Sequence, residues 1–362
     1  MVYLDANASE PLRPEARAAV LAALEAPGNP SSVHAAGRAA RRRLEAAREA
    51  IAGRFGAAAA DIVFTSGATE ADALAIHGLG AGRRVIIGAT EHDAVRAAAP
   101  GADLLAVDGE GIADLDALER MLAAGPPALV ALMLANNETG TIQPIEAAAA
   151  ICRRHGARLH VDAAQAAGRM PVDLVALGAT SLALSSHKLG GPAGAGALLL
   201  DAGVAAALVP LIRGGGQERG RRGGTPPLAA IAGFAAASAA AGDAATLAPL
   251  RDAAEAQARA AGAVAIGAGA PRLANTACLA LPGVAAETQL IALDLAGVAV
   301  SAGAACSSGK VAASHVLTAM GLGELARCAI RVSLPWNATG ADIAAFADAY
   351  GAMAARLARR AA

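Results

Sequence analysis

Between about residue 61 and residue 200 the chain alternates short apolar runs with helix-like stretches, and this alternation limits the fold more than any other feature. The runs Ile62–Thr65, Arg84–Gly88, Leu104–Val107, Leu129–Leu134, Arg158–Val161, Leu182–Ser185 and Ala197–Leu200 are continuous, not alternating in polarity. Continuous apolar runs suit strands buried on both faces. Helical segments between most of them imply βαβ units and a largely parallel sheet. Ligands of such sheets sit beyond the carboxyl ends of the strands. The residues that close each run are therefore where chemistry is expected.

The flanking segments read differently. Residues 1–12 form an arm with a short apolar start, then Pro11 and Pro14. Arg13–Glu25 has helical apolar spacing, and Pro27-Gly28-Asn29-Pro30 ends it. Ser31 or Ser32 is expected to cap the next helix, which runs to about Phe55. Its Arg41-Arg42-Arg43 run interleaves with Glu45 and Glu49, a solvated helix face. Gly214–Gly224 is a Gly/Arg loop closed by Thr225-Pro226-Pro227, followed by an alanine-rich helix to about Ala241. The boundary falls near 240–250, giving an arm over 1–12, a large domain over 13–245 and a small α+β domain over 246–362. Strands are expected there near Thr276–Leu281, Val298–Ser301 and Ala329–Leu334, with helices between and after them.

Composition excludes several classes. Of 362 residues 55% are hydrophobic and 17% charged, so disorder does not dominate. Alanine inflates the apolar count, and no uninterrupted apolar run of about 20 residues marks a membrane span. Net charge is −1 with no dominant basic stripe, which disfavours direct nucleic-acid binding. The start, Met1-Val2-Tyr3-Leu4-Asp5, lacks the basic and apolar regions of a secretory leader, so a cytoplasmic protein is expected. The 4 cysteines show neither CxxC pairing nor metal-ligand spacing to histidine. Only two lysines occur, Lys188 and Lys310. Any chemistry needing an ε-amine has those two candidates.

Three strand ends carry polar signals. Ile62-Val63-Phe64-Thr65-Ser66-Gly67-Ala68-Thr69-Glu70 is a strand, a small-residue turn and a helix start. The free N–H groups there, with the Thr69 hydroxyl, suit a phosphate, or the turn is a plain capped helix. In Leu159-His160-Val161-Asp162, Asp162 closes a buried strand. A bare carboxylate there is costly unless paired, as with a cationic ring nitrogen; a helix-capping role is the other reading. In Ser185-Ser186-His187-Lys188 the lysine follows a strand and precedes a Gly-rich turn, placed for a Schiff base or, more plainly, for solvent. Together, a phosphate turn, a carboxylate and a lysine are what pyridoxal phosphate requires.

With these motifs, Asn136-Asn137-Glu138-Thr139-Gly140 and the small-residue segment Ser301–Gly309 around Cys306, the chain resembles the cysteine desulfurases of the class-V aminotransferase group. The resemblance runs from Tyr3-Leu4-Asp5 to Ile330-Arg331-Val332. It implies a fold-type-I α/β architecture, a mostly parallel seven-stranded sheet in the large domain, and a homodimer. It implies that Lys188 bonds pyridoxal 5'-phosphate and then moves the substrate Cα proton. Asp162 would hold the ring nitrogen, His92 would stack on the ring and Gln165 would reach the ring oxygen. Ala68, Thr69, Ser185 and His187 would hold the phosphate, with Thr225 reaching it from the other subunit. Asn137 and Arg331 would bind the carboxylate of L-cysteine, since a planar guanidinium matches a carboxylate. Cys306 would carry a persulfide to a sulfur-acceptor protein, for iron–sulfur assembly, thio-cofactor synthesis or transfer-RNA thiolation. Cys152, Cys278 and Cys328 read as small buried hydrophobes, and Lys310 as a solvated charge. The alternatives are a selenocysteine lyase or aminotransferase on the same fold, or an inactive scaffold. Three departures stand out: Glu10 in the arm, Pro335 close to Arg331, and a tail ending at Ala362, which speaks against docking an iron–sulfur scaffold.

Overall fold

A computed structural model describes residues 1–303 and 313–361. Through the first half it runs β1 (Val2–Tyr3), α1 (Pro14–Leu24), α2 (Ala35–Phe55), β2 (Ile62–Thr65), α3 (Ala68–Gly80), β3 (Arg84–Gly88), α4 (Asp93–Ala98), β4 (Asp103–Leu105), α5 (Leu115–Ala123), β5 (Ala128–Met133) and α6 (Ile145–Arg154). Then come β6 (Arg158–Asp162), β7 (Ser181–Ser185), β8 (Gly196–Leu200), α7 (Leu228–Ala240), α8 (Ala248–Ala260), β9 (Val264–Ile266), β10 (Thr276–Ala280) and α9 (Ala286–Leu295). The chain closes with β11 (Val298–Ala299), β12 (Ser301–Ala302), α10 (His315–Ala319), β13 (Ala329–Ser333) and α11 (Gly340–Ala361).

The seven-stranded sheet has the order β2-β8-β7-β6-β5-β3-β4. Its pairings are parallel except where β8 lies between β7 and β2. The short link from Ser186 to Ala195 leaves no room for a crossover helix, so β8 returns antiparallel. Every residue of β5, β7 and β8 is buried, as the continuous apolar runs require. Alternate residues feed opposite faces: Val130 and Leu199 join a core with α2, α5, α6 and α7, while Leu129 and Leu198 join one with α3 and α4. Helix α7 is apolar all round because it is sandwiched, touching both α1 and α2.

A second, four-stranded antiparallel sheet, β12-β13-β10-β9, carries its own core with α8, α9 and α11. The arm reaches that core: β1 pairs in parallel with β11, and Leu4 is fully buried there. From Leu4 the arm crosses to the large sheet's lysine segment, where the Glu10 N–H donates to His187 O.

Local expectations are corrected at three places. The cap of α2 is His34, whose side chain accepts from the Gly37 N–H; Ser31 and Ser32 lie in the preceding turn. The strand expected over Val298–Ser301 is split, since β11 bonds the arm while β12 bonds β13. The edge strand β4 spans Asp103–Leu105, shorter and earlier than Leu104–Val107, because only β3 lies beside it.

Candidate active site

The carboxyl ends of β2, β6 and β7 open on one cavity of about 550 Å³. Its lining includes Ala68, Thr69, His92, Asn137, Asp162, Gln165, Ser185, His187, Lys188 and Arg331. The sheet brings together residues that lie far apart in the chain because ligand-facing turns all follow strands pointing one way.

One wall is the start of α3. Its N-cap, Gly67, offers no side chain to the first turn, so the leading N–H groups face the cavity with the helix dipole behind them. The turn is set by Glu70, whose carboxylate accepts from the Ser66 N–H and from Arg222. Gly196 of β8 is needed for closure: a Cβ there would sit 2.5 Å from the Gly67 Cα. Ser185 Oγ lies 3.8 Å from where a Cβ on Gly67 would be, so its hydroxyl adjoins the same turn. Burial holds the neighbouring His187 neutral, its acidity shifted to about 4.

Asp162, at the end of β6, lines the cavity as well. One carboxylate oxygen accepts from the Ala164 N–H at 2.8 Å. Burial, reinforced by the Asp72 carboxyl, pushes Asp162 above the ordinary carboxylate range. Such a group is stabilised as an anion by a cation placed against it. Asp162 is therefore both a turn cap and an unmatched acid facing the cavity.

Lys188 lines the same cavity. Its Nζ donates to Asn7 O at 2.6 Å and Ala8 O at 3.0 Å. Burial, with Arg331 and Arg169 nearby, lowers it to about 8. The amine thus reaches its neutral, nucleophilic form at lower pH than an exposed lysine. His92 lines the cavity and caps α4, its Nδ1 accepting from the Ala94 N–H at 3.1 Å. That bond leaves Nε2 to carry the proton of the neutral ring.

Arg331 is buried, and its guanidinium is already engaged. It donates to Asp5 Oδ1 at 2.6 Å and Asn137 O at 3.0 Å, and Nε has no partner among the described residues. The Asp5 contact is not foreseeable from the sequence. Nor are Asn7, Asp72, Glu138 and His315 as cavity residues. Glu138 lies inside the Asn136–Gly140 motif without an expected part there; in the structure it accepts from Ser314 Oγ. Asp72 follows Thr69 by one helical turn, a spacing that would have placed it on the same face. Thr225 is exposed and does not line the cavity. Cys306 and Lys310 lie outside the described residues. Cys152, Cys278 and Cys328 are free and buried, and burial raises the first to about 12.

These features fit pyridoxal phosphate: N–H groups for a phosphate, an unmatched acid for a cationic ring nitrogen, and an amine of lowered basicity, all on one cavity. Among the described residues no cluster of His, Cys, Asp and Glu could hold a metal ion.

The family model described as Aminotransferase class-V matches residues 2–346. The chain is similar to a cysteine desulfurase of Cereibacter sphaeroides, 44% identical over 94% of this chain and 92% of that one. The X-ray structure of a NifS-like protein from Rickettsia africae superposes with a TM-score of 0.90 at 33% identity, covering 98% and 99% of the two chains. The structure of SspA in complex with cysteine superposes with a TM-score of 0.81 at 31% identity, covering 92% and 99%.

Proposed function

The chain belongs to the class-V aminotransferase family, and from that membership we propose that it is a pyridoxal-phosphate-dependent cysteine desulfurase. The observation that carries this reading is that Lys188, the unmatched Asp162 and the uncapped start of α3 line one cavity. The complex of SspA, a structural relative, with cysteine supports the substrate.

The cofactor, when bound, supplies an electron sink that weakens the bonds at the substrate's α-carbon. The residues do the rest. The Ala68 N–H, Thr69, Ser185 and His187 would hold the phosphate. Asp162 would face the ring nitrogen, with His92 and Gln165 as the other ring partners. Lys188 would hold the cofactor through its amine, and the same amine would move a proton at the substrate Cα. Arg331 and Asn137 receive the substrate carboxylate, for which Arg331 exchanges its contact with Asp5. The Cys306 thiolate would attack the substrate sulfur as the carbon–sulfur bond breaks; the electron pair of that bond would stay with the substrate's β-carbon, which takes up a proton, and alanine would leave. Cys306 then bears a persulfide, which a sulfur-acceptor protein collects.

The same reading makes the protein a cytoplasmic homodimer in which Thr225 serves the other subunit. Its support is the loop that carries Thr225. Glu218 takes Arg48 in a bidentate pair and the Phe64 N–H, and Arg222 pairs with Glu70 of α3, which leaves Thr225 exposed near its own subunit's cavity but outside the lining, free for a neighbour. The division into an arm, residues 13–245 and residues 246–362 is supported by the separate cores of the two sheets. Sedimentation should give twice the chain mass of 35.2 kDa; a lone chain would remove the homodimer and the Thr225 role.

The direct test is alanine and sulfide release from L-cysteine under reducing conditions. Wild type should release both in equal amounts, and Cys306→Ala should release neither. Lys188→Ala should lose the borohydride-reducible chromophore. A wild type that binds the cofactor but releases no alanine would sink the desulfurase reading in favour of an aminotransferase. A chromophore retained by Lys188→Ala would sink the cofactor assignment.

A further inference from the structure

A buried chain of polar contacts runs from Glu10 to Lys188. Glu10 Oε2 accepts from Arg169 Nη2 at 3.0 Å, and its Oε1 accepts from the Trp336 N–H at 2.7 Å. Arg169 Nη1 donates to Gln165 Oε1 at 2.5 Å and to Gln165 O at 2.9 Å. Gln165 Nε2 donates to Asn7 O at 3.0 Å, the carbonyl that also accepts from Lys188 Nζ. Glu10, Arg169 and Gln165 are 7%, 4% and 7% exposed.

Two physical consequences follow. A glutamine amide has a donor end and an acceptor end of nearly equal shape, and its partners decide which end faces where. Arginine is donor only, so Arg169 takes the oxygen and turns Nε2 toward Asn7 and the cavity. A buried ion pair is also a poor source of stability, because desolvating two charges offsets their attraction. What it supplies is fixed geometry and a balanced charge. The balance bears on Lys188, which is faced by the cations Arg331 and Arg169 and the anions Asp162 and Asp5, with His187 neutral beside it. Glu10 is the counter-charge that offsets Arg169.

We propose that Glu10 and Arg169 are positioning residues of this site: the pair holds the Gln165 N–H toward the cavity and sets the charge that Lys188 experiences. The inference rests on the reading of Lys188 as the amine that bonds pyridoxal phosphate.

The experiment follows covalent loading of the apoenzyme with pyridoxal phosphate by visible absorbance across pH, since loading needs the neutral amine. Glu10→Gln leaves Arg169 unopposed, so the pH midpoint of loading should fall by ~0.5 unit or more. Arg169→Gln removes a cation and should move the midpoint the other way. Combining the two should bring it back toward wild type. Thermal unfolding confirms that each variant is folded, and either single variant alone carries the test. A purely structural role would lower the unfolding temperature without opposite shifts of the midpoint. Wild type that takes up no cofactor would overturn the functional reading and this inference with it. Wild type that loads, beside folded variants with its midpoint unchanged, would overturn this inference alone.

Discussion

Asp72 shows how much a single buried acid can hide. It is fully buried in α3, one oxygen 3.0 Å from His160 Nε2 and the other without a partner among the described residues. Desolvation pushes its carboxyl well above the usual range. The acid therefore binds its proton more tightly in the folded chain than in the unfolded one. It favours the fold below the unfolded value of about 4 and withdraws that support as pH rises through the folded value. Asp72→Asn should thus gain unfolding temperature over wild type progressively as pH rises from about 4; a gap that stays constant or reverses would refute this. Residues of this kind are poorly legible in sequence. An acid on a helix reads as solvated, and Glu138 suffers the same ambiguity. Lys188 and Asp162 are legible because each closes an apolar strand, and because the chain holds one other lysine.

At the level of elements, strands are legible wherever a run is continuously apolar. Burial on both faces leaves that mark in any register. Caps and breaks are less legible. His34 stands in place of the expected serine as the cap of α2, since the turn that precedes it sets where helical dihedrals begin. The split of β11 from β12 depends on which partner each half meets, and the two partners are remote in the chain. The junction of β8 with the α3 turn makes a sharper prediction. Gly196→Ala would place a methyl carbon 2.5 Å from the Gly67 Cα and 2.6 Å from Leu184 O. Backbone lies on both sides, so the turn must shift. Overpacking of this kind costs ~1–3 kcal/mol, and affinity for pyridoxal phosphate should fall at least ~10-fold. Equilibrium titration of the apoenzyme measures it; wild-type affinity would show that the turn yields without disturbing the anion site.

For the whole molecule the arm is decisive. Its first residues add a strand to β11, Leu4 fills the core of the smaller sheet, and its middle supplies the Asn7 and Ala8 carbonyls to Lys188. The same short arm thus ties both cores to the site. Leu4→Ala removes a fully buried side chain and should cost ~2–5 kcal/mol. Because the arm bonds Lys188, the variant should also load pyridoxal phosphate more slowly. Denaturant unfolding and loading kinetics test the two effects; a destabilised variant that loads at the wild-type rate would uncouple arm from lysine. Glu10 and Pro335, separate departures in the sequence, prove to be neighbours here, since Glu10 accepts from the Trp336 N–H and Trp336 Nε1 donates to Pro11 O.

Sequence alone determined most of the strands and the polarity of their ends: the small-residue turn after β2, the acid that closes β6 and the lysine that follows β7. These are local consequences: burial on two faces demands continuous apolar residues, and a parallel sheet places its loops together. Tertiary structure alone decided what each polar group touches. Arg331 meets Asp5, Gln165 is turned by Arg169, and Lys188 is bonded by the arm. Each of those contacts joins segments more than a hundred residues apart or depends on a neighbour so placed. Hydrogen bonds act over about 3 Å, and no local pattern of residue types records which distant atom will arrive within that reach.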